Sequence, residues 1–168
     1  MKHTNLKKLT LAGIFVAISV VGSIFSFPVL GSKCAPVQHL MNIMGAVFLG
    51  PGYAVGTAFA TSVIRNALGL GTPLAFPGSM CGALLAGILY KYFRRLPAAY
   101  SGEVIGTGIL GGLLAYPVAA GIMGSKAAVF AFVVPFLIST CGGTILAVVL
   151  VTLLKKSGVL ERLMEERP

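Results

Sequence analysis

The chain has 168 residues, of which 57% are hydrophobic and 10% are charged, and its mean hydropathy is +0.95. Too little polar surface remains to coat a soluble globule of this size, so the composition predicts one integral membrane domain over residues 1–168. The net charge is +9, but the basic residues lie at the ends of apolar blocks instead of forming one stripe with interleaved aromatics. This pattern argues against nucleic-acid binding and favours anionic lipid headgroups as the counter-charge.

Six apolar blocks predict six transmembrane helices and hence an all-α membrane protein. Their approximate bounds are 9–27, 38–50, 53–68, 76–92, 102–122 and 127–154, and a cytoplasmic tail follows over 155–168. The second and third blocks are short for a membrane span, so we expect neighbouring helices to shelter them around a cavity in the outer half. Pro135 marks a candidate kink in the sixth block.

The basic residues predict which side of the membrane each gap between blocks occupies. Three of the thirteen, Lys33, Arg65 and Lys126, fall on one side. The other ten fall on the opposite side: Lys2, Lys7, Lys8, Lys91, Arg94, Arg95, Lys155, Lys156, Arg162 and Arg167. Because basic residues near helix ends favour the cytoplasmic face, we expect both termini to be cytoplasmic in a multi-pass protein of a prokaryotic plasma membrane.

Polar side chains near the outer ends of the blocks carry the functional prediction. His39 and Asn42 are three residues apart and share one helix face, while Arg65 and Asn66 end the third block. Hydrogen-bonding groups that converge there would suit a small polar ligand arriving from outside, with the loop at 28–38 as a lid. Taken singly, these residues could instead cap helices, bond backbone or snorkel to headgroups. The candidate binding residues are Lys33, Gln38, His39, Asn42, Arg65, Asn66, Phe76, Ser79 and Tyr116.

Glu103 is the only acidic residue before the tail, and the block pattern predicts that it begins the fifth helix on the cytoplasmic side. Arg94 and Arg95 precede it closely. We therefore expect Glu103 to stabilise that helix start rather than to handle protons. The outer half is then expected to hold no acidic residue.

Several short runs of residues, each weak alone, together resemble one known family. The runs are Lys33-Cys34-Ala35-Pro36-Val37-Gln38-His39-Leu40-Met41-Asn42, Arg65-Asn66, Gly69-Leu70-Gly71-Thr72, Phe76-Pro77-Gly78-Ser79, Gly102-Glu103 and Tyr116-Pro117. In combination they resemble the ThiW family, whose members are predicted substrate-binding S components of energy-coupling factor (ECF) transporters. The resemblance implies an S-component-like bundle of six helices that captures a thiazole precursor of thiamine, with hydroxyethylthiazole as the expected ligand.

The same resemblance implies partners for transport. A transmembrane coupling protein and two ATPase subunits would deliver the ligand inward, and ATP would be used by those partners, since this chain has no P-loop. No cofactor of its own is implied. In S components, small residues on helix 1 form part of the docking surface, which by position implies Gly13 and Ala17 here.

A neutral thiazole alcohol matches the chemistry of the candidate residues. Its ring nitrogen, hydroxyl and flat face suit His39, Asn42, Ser79 and a nearby aromatic ring. Thiamine fits less well, because a permanent cation favours a carboxylate or an aromatic cage and the chain has no Trp. The aminopyrimidine precursor of thiamine, and a small anion bound through Lys33 and Arg65, are the alternatives.

Two other classes of protein fit less well. An intramembrane enzyme could use Cys34, His39 and Ser79, but the outer half lacks an orienting acid and a nucleophile motif, so no catalytic residue is predicted. The three cysteines are widely spaced and odd in number, which argues against a disulfide framework and a metal site. A structural or channel-forming role would leave the glycine-rich helices to oligomer packing alone, and saturable ligand binding would argue against it.

Overall fold

Helices make up most of the computed structural model, which describes residues 2–165. The fifth helix, α5 (Leu96–Gly121), is continuous, although its part at Val104–Gly111 is a π-helix between two α-helical parts. Arg167 and the end of the predicted tail lie outside the described residues. The helices within the described range are α1 (Lys2–Gly22), α2 (Pro36–Phe48), α3 (Pro51–Ala67), α4 (Ala75–Phe93), α5 (Leu96–Gly121), α6 (Val133–Lys156) and α7 (Val159–Glu165).

The bundle carries polar groups inside and much of its apolar surface outside. His39, Arg65 and Glu103 are buried, whereas Phe25 and Ile145 are 75% and 63% exposed. Three helical stretches are long and apolar enough to cross a membrane: Asn5–Phe25, Leu96–Gly121 and Val133–Lys156. This distribution is expected where lipid replaces water around a helix bundle. The fold is therefore consistent with an all-α membrane protein.

The fifth helix begins at Leu96, whereas the sequence predicts a start at residue 102. Arg94 ends α4 in the left-handed conformation with φ of 53°, which turns the chain sharply. Pro97 then occupies the first turn of α5, where its missing N–H group removes no helical hydrogen bond. Glu103 consequently lies about two turns inside α5 instead of at its start.

The sixth helix begins at Val133, whereas the sequence predicts a start at residue 127. Gly124 has a φ of 63°, and irregular turns separate α5 from α6. Pro135 therefore lies in the first turn of α6, a position that proline tolerates without kinking the helix. The predicted kink at Pro135 is wrong for this reason.

A two-stranded antiparallel hairpin follows α1 and lies in the predicted lid loop. Strand β1 (Phe27–Val29) pairs with β2 (Ser32–Cys34). Leu30 and Gly31 form the turn with φ of 46° and 79°, which matches the twist of a tight hairpin. The sequence predicts helix 1 up to residue 27, but α1 ends at Gly22 and a short 3₁₀ turn leads into β1.

Glycines let neighbouring helices approach backbone to backbone. A Cβ atom at Gly106 of α5 would lie 2.6 Å from the carbonyl oxygen of Cys81 in α4. A Cβ atom at Gly143 of α6 would lie 2.5 Å from the Cβ atom of His39 in α2. Small residues allow such contacts in membrane bundles. They bring the start of α2 and the middle of α5 close enough for their side chains to meet.

The two ends of the bundle differ in the basic residues that they carry. The hairpin, the turn after α3 and the loop at 122–132 share one end, which holds Lys33, Arg65 and Lys126. At the opposite end, Lys8, Lys91 and Arg94 lie around one depression with the turn between α2 and α3, and Arg94 also adjoins α7. We call the end that carries the hairpin, Lys33, Arg65 and Lys126 the hairpin end.

Candidate functional site

A small polar cavity lies at the hairpin end, among α2, α3, α4, α5 and α6. Its volume is about 30 Å³, which is room for about two water molecules. A substituted five-membered ring needs more space, so ring binding requires the hairpin or lining side chains to move. The lining residues are Ser32, Lys33, Ala35, Gln38, His39, Arg65, Thr72, Leu74, Ala75, Gly78, Ser79, Thr107, Phe136 and Ser139.

A buried carboxylate, Glu103, lies directly behind His39. The side chain of Glu103 is 0% exposed, and its Oε1 atom lies 2.8 Å from Nδ1 of His39. The same oxygen accepts hydrogen bonds from Asn42 Nδ2 at 3.1 Å and Thr107 Oγ1 at 2.9 Å. The predictions that Glu103 stabilises a helix start and that this half holds no acid are therefore wrong. The early start of α5 at Leu96 carries Glu103 to the site.

The contact with Glu103 orients the imidazole of His39. With Nδ1 directed at the carboxylate, Nε2 is the ring nitrogen left for a ligand, because His39 also lines the cavity. The second carboxylate oxygen, Oε2 of Glu103, has no hydrogen-bond partner among the described residues. Among those residues, this is also the one contact between a carboxylate and a basic side chain within 4 Å.

Arg65 is a buried cation in the wall of the cavity, and its side chain is 2% exposed. Its Nη1 atom donates to Oε1 of Gln38, and its Nη2 atom donates to the carbonyl oxygen of Leu70 at 3.4 Å. Its Nε atom has no partner among the described residues. Lys33 lies beside it on the hairpin, exposed, and donates to the carbonyl oxygen of Gly69 at 3.0 Å. The two cations give this wall a positive charge.

Side-chain hydroxyl and amide groups connect three helices next to the cavity. Ser79 of α4 donates to the carbonyl oxygen of Ala75 at 2.8 Å and lies 3.1 Å from the hydroxyl of Ser62 in α3. Gln38 of α2 donates to the same Ser62 hydroxyl at 3.3 Å. Asn42 donates to the carbonyl oxygen of Ser79 at 3.2 Å. These bonds fix the relative positions of α2, α3 and α4.

The hairpin is fastened over the cavity by contacts with α6. The backbone N–H of Ala35 donates to Ser139 Oγ at 2.8 Å, and the thiol of Cys34 donates to the carbonyl oxygen of Pro135 at 3.3 Å. Burial raises the pKa of the Cys34 thiol and so keeps it protonated as a donor. These bonds fix the hairpin over the cavity.

The structure brings together some of the predicted binding residues and separates others. Asn42 lies behind the lining, where it contacts Glu103. Asn66 donates to two carbonyl oxygens around the turn after α3. Phe76 packs against Phe59, with ring centroids 5.7 Å apart, and Tyr116 lies on α5 beyond the π-helical segment; neither lines the cavity. Those that line it are Lys33, Gln38, His39, Arg65 and Ser79.

Several lining residues have no counterpart in the sequence-based prediction. Thr107 comes from the π-helical part of α5 and Ser139 comes from α6, while Phe136 supplies the nearby aromatic ring that the sequence leaves unspecified. Thr107 is four residues after Glu103 and therefore shares its helix face, a signal that becomes useful once Glu103 is placed at the site. Ser139 sits within a long apolar block, where a polar side chain itself indicates an inward position.

The expected docking residues, Gly13 and Ala17, are exposed on α1. A Cβ atom at Gly13 would meet nothing within 4 Å. Gly13 lines an apolar groove of about 750 Å³ between α1 and α3, together with Leu9, Ala12, Val16, Gly52, Tyr53, Gly56, Thr57 and Ala60. Ala17 lines a separate apolar depression with Ile18, Val21, Gly22, Phe25 and Val37.

Among the described residues, no group of three His, Cys, Asp or Glu side chains could hold a metal ion.

Comparison with known proteins identifies the family. The chain matches the family model described as thiamine-precursor transporter protein (ThiW) over residues 9–157, a span that includes every residue lining the cavity. No curated protein and no solved structure matches the chain. The resemblance carried by the short motifs is thus confirmed, and the chain belongs to the ThiW family of thiamine-precursor transporter proteins.

Proposed function

We propose that the protein is the substrate-binding S component of an ECF-type importer and captures a thiazole precursor of thiamine. Hydroxyethylthiazole is the ligand that we propose. Two observations support the proposal: the chain belongs to a family of thiamine-precursor transporters, and its cavity combines hydrogen-bonding groups with an aromatic ring. In this arrangement α1 to α6 cross a prokaryotic plasma membrane with both termini cytoplasmic. The hairpin end then faces outside, in agreement with its few basic residues.

The lining residues complement a neutral thiazole alcohol. The ring nitrogen of the ligand accepts a hydrogen bond, its hydroxyl donates and accepts, and its flat face favours an aromatic neighbour. His39 Nε2 and the hydroxyl of Thr107 are polar groups at the cavity, and Phe136 offers a ring. A few placed polar groups among apolar walls are typical of small-molecule sites. The hairpin would open to admit the ligand and close over it.

Inward delivery would require partners that hydrolyse ATP. We propose that a transmembrane coupling protein docks in the groove lined by Gly13, while two ATPase subunits drive the conformational change. The groove is apolar and presents uncovered glycine backbone, which favours close contact with a helix of the partner. Ala17 lines a separate apolar depression on α1, which we include in the proposed docking surface. The loaded protein would then topple in the membrane and release its ligand inside.

The position of Glu103 supports a second ligand class, thiamine or its aminopyrimidine precursor. A carboxylate can pair with the N–C–N edge of an aminopyrimidine or balance a cationic ligand. Oε2 of Glu103 has no hydrogen-bond partner among the described residues. His39 and Thr107 nevertheless occupy Oε1 and stand at the cavity. A pyrimidine would have to displace them, so the thiazole is the preferred ligand.

Calorimetric titration of the detergent-purified protein tests the proposal. We expect hydroxyethylthiazole to bind at least about tenfold more tightly than thiamine or the aminopyrimidine, a difference of about 1.4 kcal/mol. His39→Ala and Asn42→Ala should weaken this binding, the first by removing a lining group and the second by loosening Ser79 and Glu103. Asn5→Ala is the matched control, because this exposed amide on α1 does not line the cavity.

Each outcome of this titration has a distinct meaning. Preference for thiamine or the aminopyrimidine would keep the importer and replace its ligand. Unchanged affinity in both His39→Ala and Asn42→Ala would remove the site assignment. No binding of any of the three compounds to folded protein would contradict the proposed function and favour a structural role.

A further inference from the structure

Arg65 is a buried cation whose charge is not balanced by its surroundings. Its side chain is 2% exposed, and its hydrogen-bond partners, the side chain of Gln38 and the carbonyl oxygen of Leu70, are neutral. Its Nε atom is buried without a partner among the described residues. Burying a charge is unfavourable unless an opposite charge accompanies it.

The carboxylate of Glu103 adjoins this cavity but makes no ion pair with Arg65. Oε1 of Glu103 is taken by His39, Asn42 and Thr107. No carboxylate of the described residues lies within 4 Å of the guanidinium of Arg65. A partner for the charge of Arg65 must therefore come from outside the described chain.

The surroundings of Arg65 extend its positive charge into a small cluster of donors. Lys33 lines the same cavity from the hairpin, and its ammonium group donates to a carbonyl oxygen at 3.0 Å. The hydroxyl-bearing residues Ser32 and Thr72 line the cavity as well. A guanidinium, an ammonium and hydroxyl groups are the donors that proteins use for phosphate and carboxylate oxygens.

We propose that Arg65 and Lys33 form an anion subsite that binds an oxyanion substituent, phosphate or carboxylate, on the thiazole ligand. This inference rests on the proposed function and extends its ligand class to thiazoles that carry a negatively charged substituent. The ring lies towards His39 and Phe136, and its oxyanion substituent lies against the guanidinium. The oxyanion of the ligand then balances the positive charge of the Arg65 guanidinium.

A purely structural role for Arg65 makes a different prediction. Its bonds to Gln38 and Leu70 join α2 to the turn after α3, so a structural arginine would support neutral and anionic ligands equally. An anion subsite supports only the anionic ones. The two roles are therefore separated by comparing ligands that share one ring and differ in charge.

The experiment is calorimetric titration of the detergent-purified full chain with hydroxyethylthiazole, its phosphate monoester, the corresponding thiazole acetic acid, and inorganic phosphate. We expect at least one of the two anionic thiazoles to bind about tenfold or more tightly than the alcohol. Arg65→Gln should weaken that anion by about 10- to 100-fold, the range for a hydrogen bond to a charged group, and the alcohol by less than about threefold. Lys33→Gln, at an exposed residue, should act in the same direction with a smaller effect.

Lys126→Gln is the matched control, because it removes one exposed charge at the hairpin end from a residue that does not line the cavity. It should leave all affinities unchanged. If Arg65→Gln does not fold, Arg65→Lys and Lys33→Gln provide the comparison. Arg65→Lys keeps the charge and loses the planar fork, so it should weaken the anion less than the Gln variant would.

Two results would overturn the subsite while leaving the proposed function intact. One is an alcohol that binds as tightly as both anionic thiazoles. The other is an equal loss of neutral and anionic ligands in Arg65→Gln, or in both replacement variants. Failure of every thiazole here, together with tight binding of the aminopyrimidine in the titration that tests the proposed function, would overturn the subsite and the thiazole function together. Inorganic phosphate binding as tightly as the phosphate monoester would retain the anion site and remove the thiazole.

Discussion

His39 and Glu103 form a buried pair, and each depends on the other to satisfy its polar atoms. Oε1 of Glu103 lies 2.8 Å from Nδ1 of His39, and both side chains are buried. Removing one partner from such a pair leaves the other desolvated and incompletely bonded, which is more unfavourable than removing both. The pair therefore contributes to stability as well as to the orientation of His39 at the cavity.

A double-mutant cycle tests this dependence. We expect His39→Ala to lower the free energy of unfolding by about 1–3 kcal/mol, because Glu103 loses a hydrogen-bond partner. Glu103→Gln in the same chain should recover part of that loss, since a neutral amide can still accept from Asn42 and Thr107. Chemical unfolding of the four proteins in detergent measures the coupling. Additive effects of the two substitutions would show that the pair is not energetically coupled.

The side chains at the cavity differ in how far the sequence predicts them. Topology alone places His39, Arg65 and Ser79 at one end, because each lies near an end of its apolar block on the side with few basic residues. The same reasoning places Glu103 at the wrong end. Arg94 and Arg95 precede it closely, so the sequence around Glu103 resembles a helix start at the opposite membrane face. Only the left-handed turn at Arg94 and the early start of α5 reveal its true position.

Tight packing between α4 and α5 fixes the position of Gly78, a residue that lines the cavity. A Cβ atom at Gly111 would lie 2.6 Å from the Cα atom of Gly78, and Gly78 itself lines the cavity. Backbone atoms cannot move aside as a flexible side chain does. The π-helical part of α5 therefore depends on glycine at this contact.

Substitution of glycine by alanine tests that packing. Gly111→Ala should lower the free energy of unfolding by about 1–3 kcal/mol, the usual effect of overpacking a well-packed interior. Gly121→Ala is the control, because it lies in the same helix and a Cβ atom there would meet nothing within 4 Å. Thermal unfolding in detergent compares the two. Equal stability of both variants would contradict the proposed tightness of the α4–α5 contact.

The helices and strands also differ in how well the local sequence predicts where they begin and end. Helices α2, α3 and α4 begin and end within two residues of the bounds read from the sequence, because Gly and Pro punctuate their ends. Pro28 and Gly31 mark a break after the first block, but the run Phe27-Pro28-Val29 is apolar throughout and lacks the alternating pattern that would predict a strand. The π-helical segment at Val104–Gly111 arises next to α4, and a tertiary contact of this kind leaves no local pattern.

The molecule as a whole presents two separate surfaces for the two proposed tasks, ligand capture and docking. The cavity opens at the hairpin end, where Lys33 and Arg65 lie. The apolar groove with Gly13 runs between α1 and α3, and none of its residues lines the cavity. Ligand capture and docking can therefore be disturbed independently by substitution. This separation gives the transport proposal its sharpest test.

Bulky replacements in the groove should impair assembly and spare ligand binding. Gly13→Leu and Gly56→Leu each place a side chain in the groove without meeting atoms of this chain within 4 Å of the new Cβ, so the fold should be retained. A helix of the coupling protein would then be held away from the exposed backbone. We expect co-purification with the coupling module to fall at least about tenfold, a change of about 1.4 kcal/mol in docking, and the ligand affinity to stay within about twofold.

Ala17→Leu tests whether docking extends along α1 beyond the groove. Gly121→Leu is the control, because a Cβ atom at Gly121 also meets nothing within 4 Å and Gly121 does not line the groove. Loss of assembly in the groove variants alone would place the partner between α1 and α3. Loss in Ala17→Leu as well would extend the contact along α1. Equal loss of assembly and ligand binding would instead indicate a folding defect, and unchanged assembly in all variants would move the docking surface to another face of the bundle.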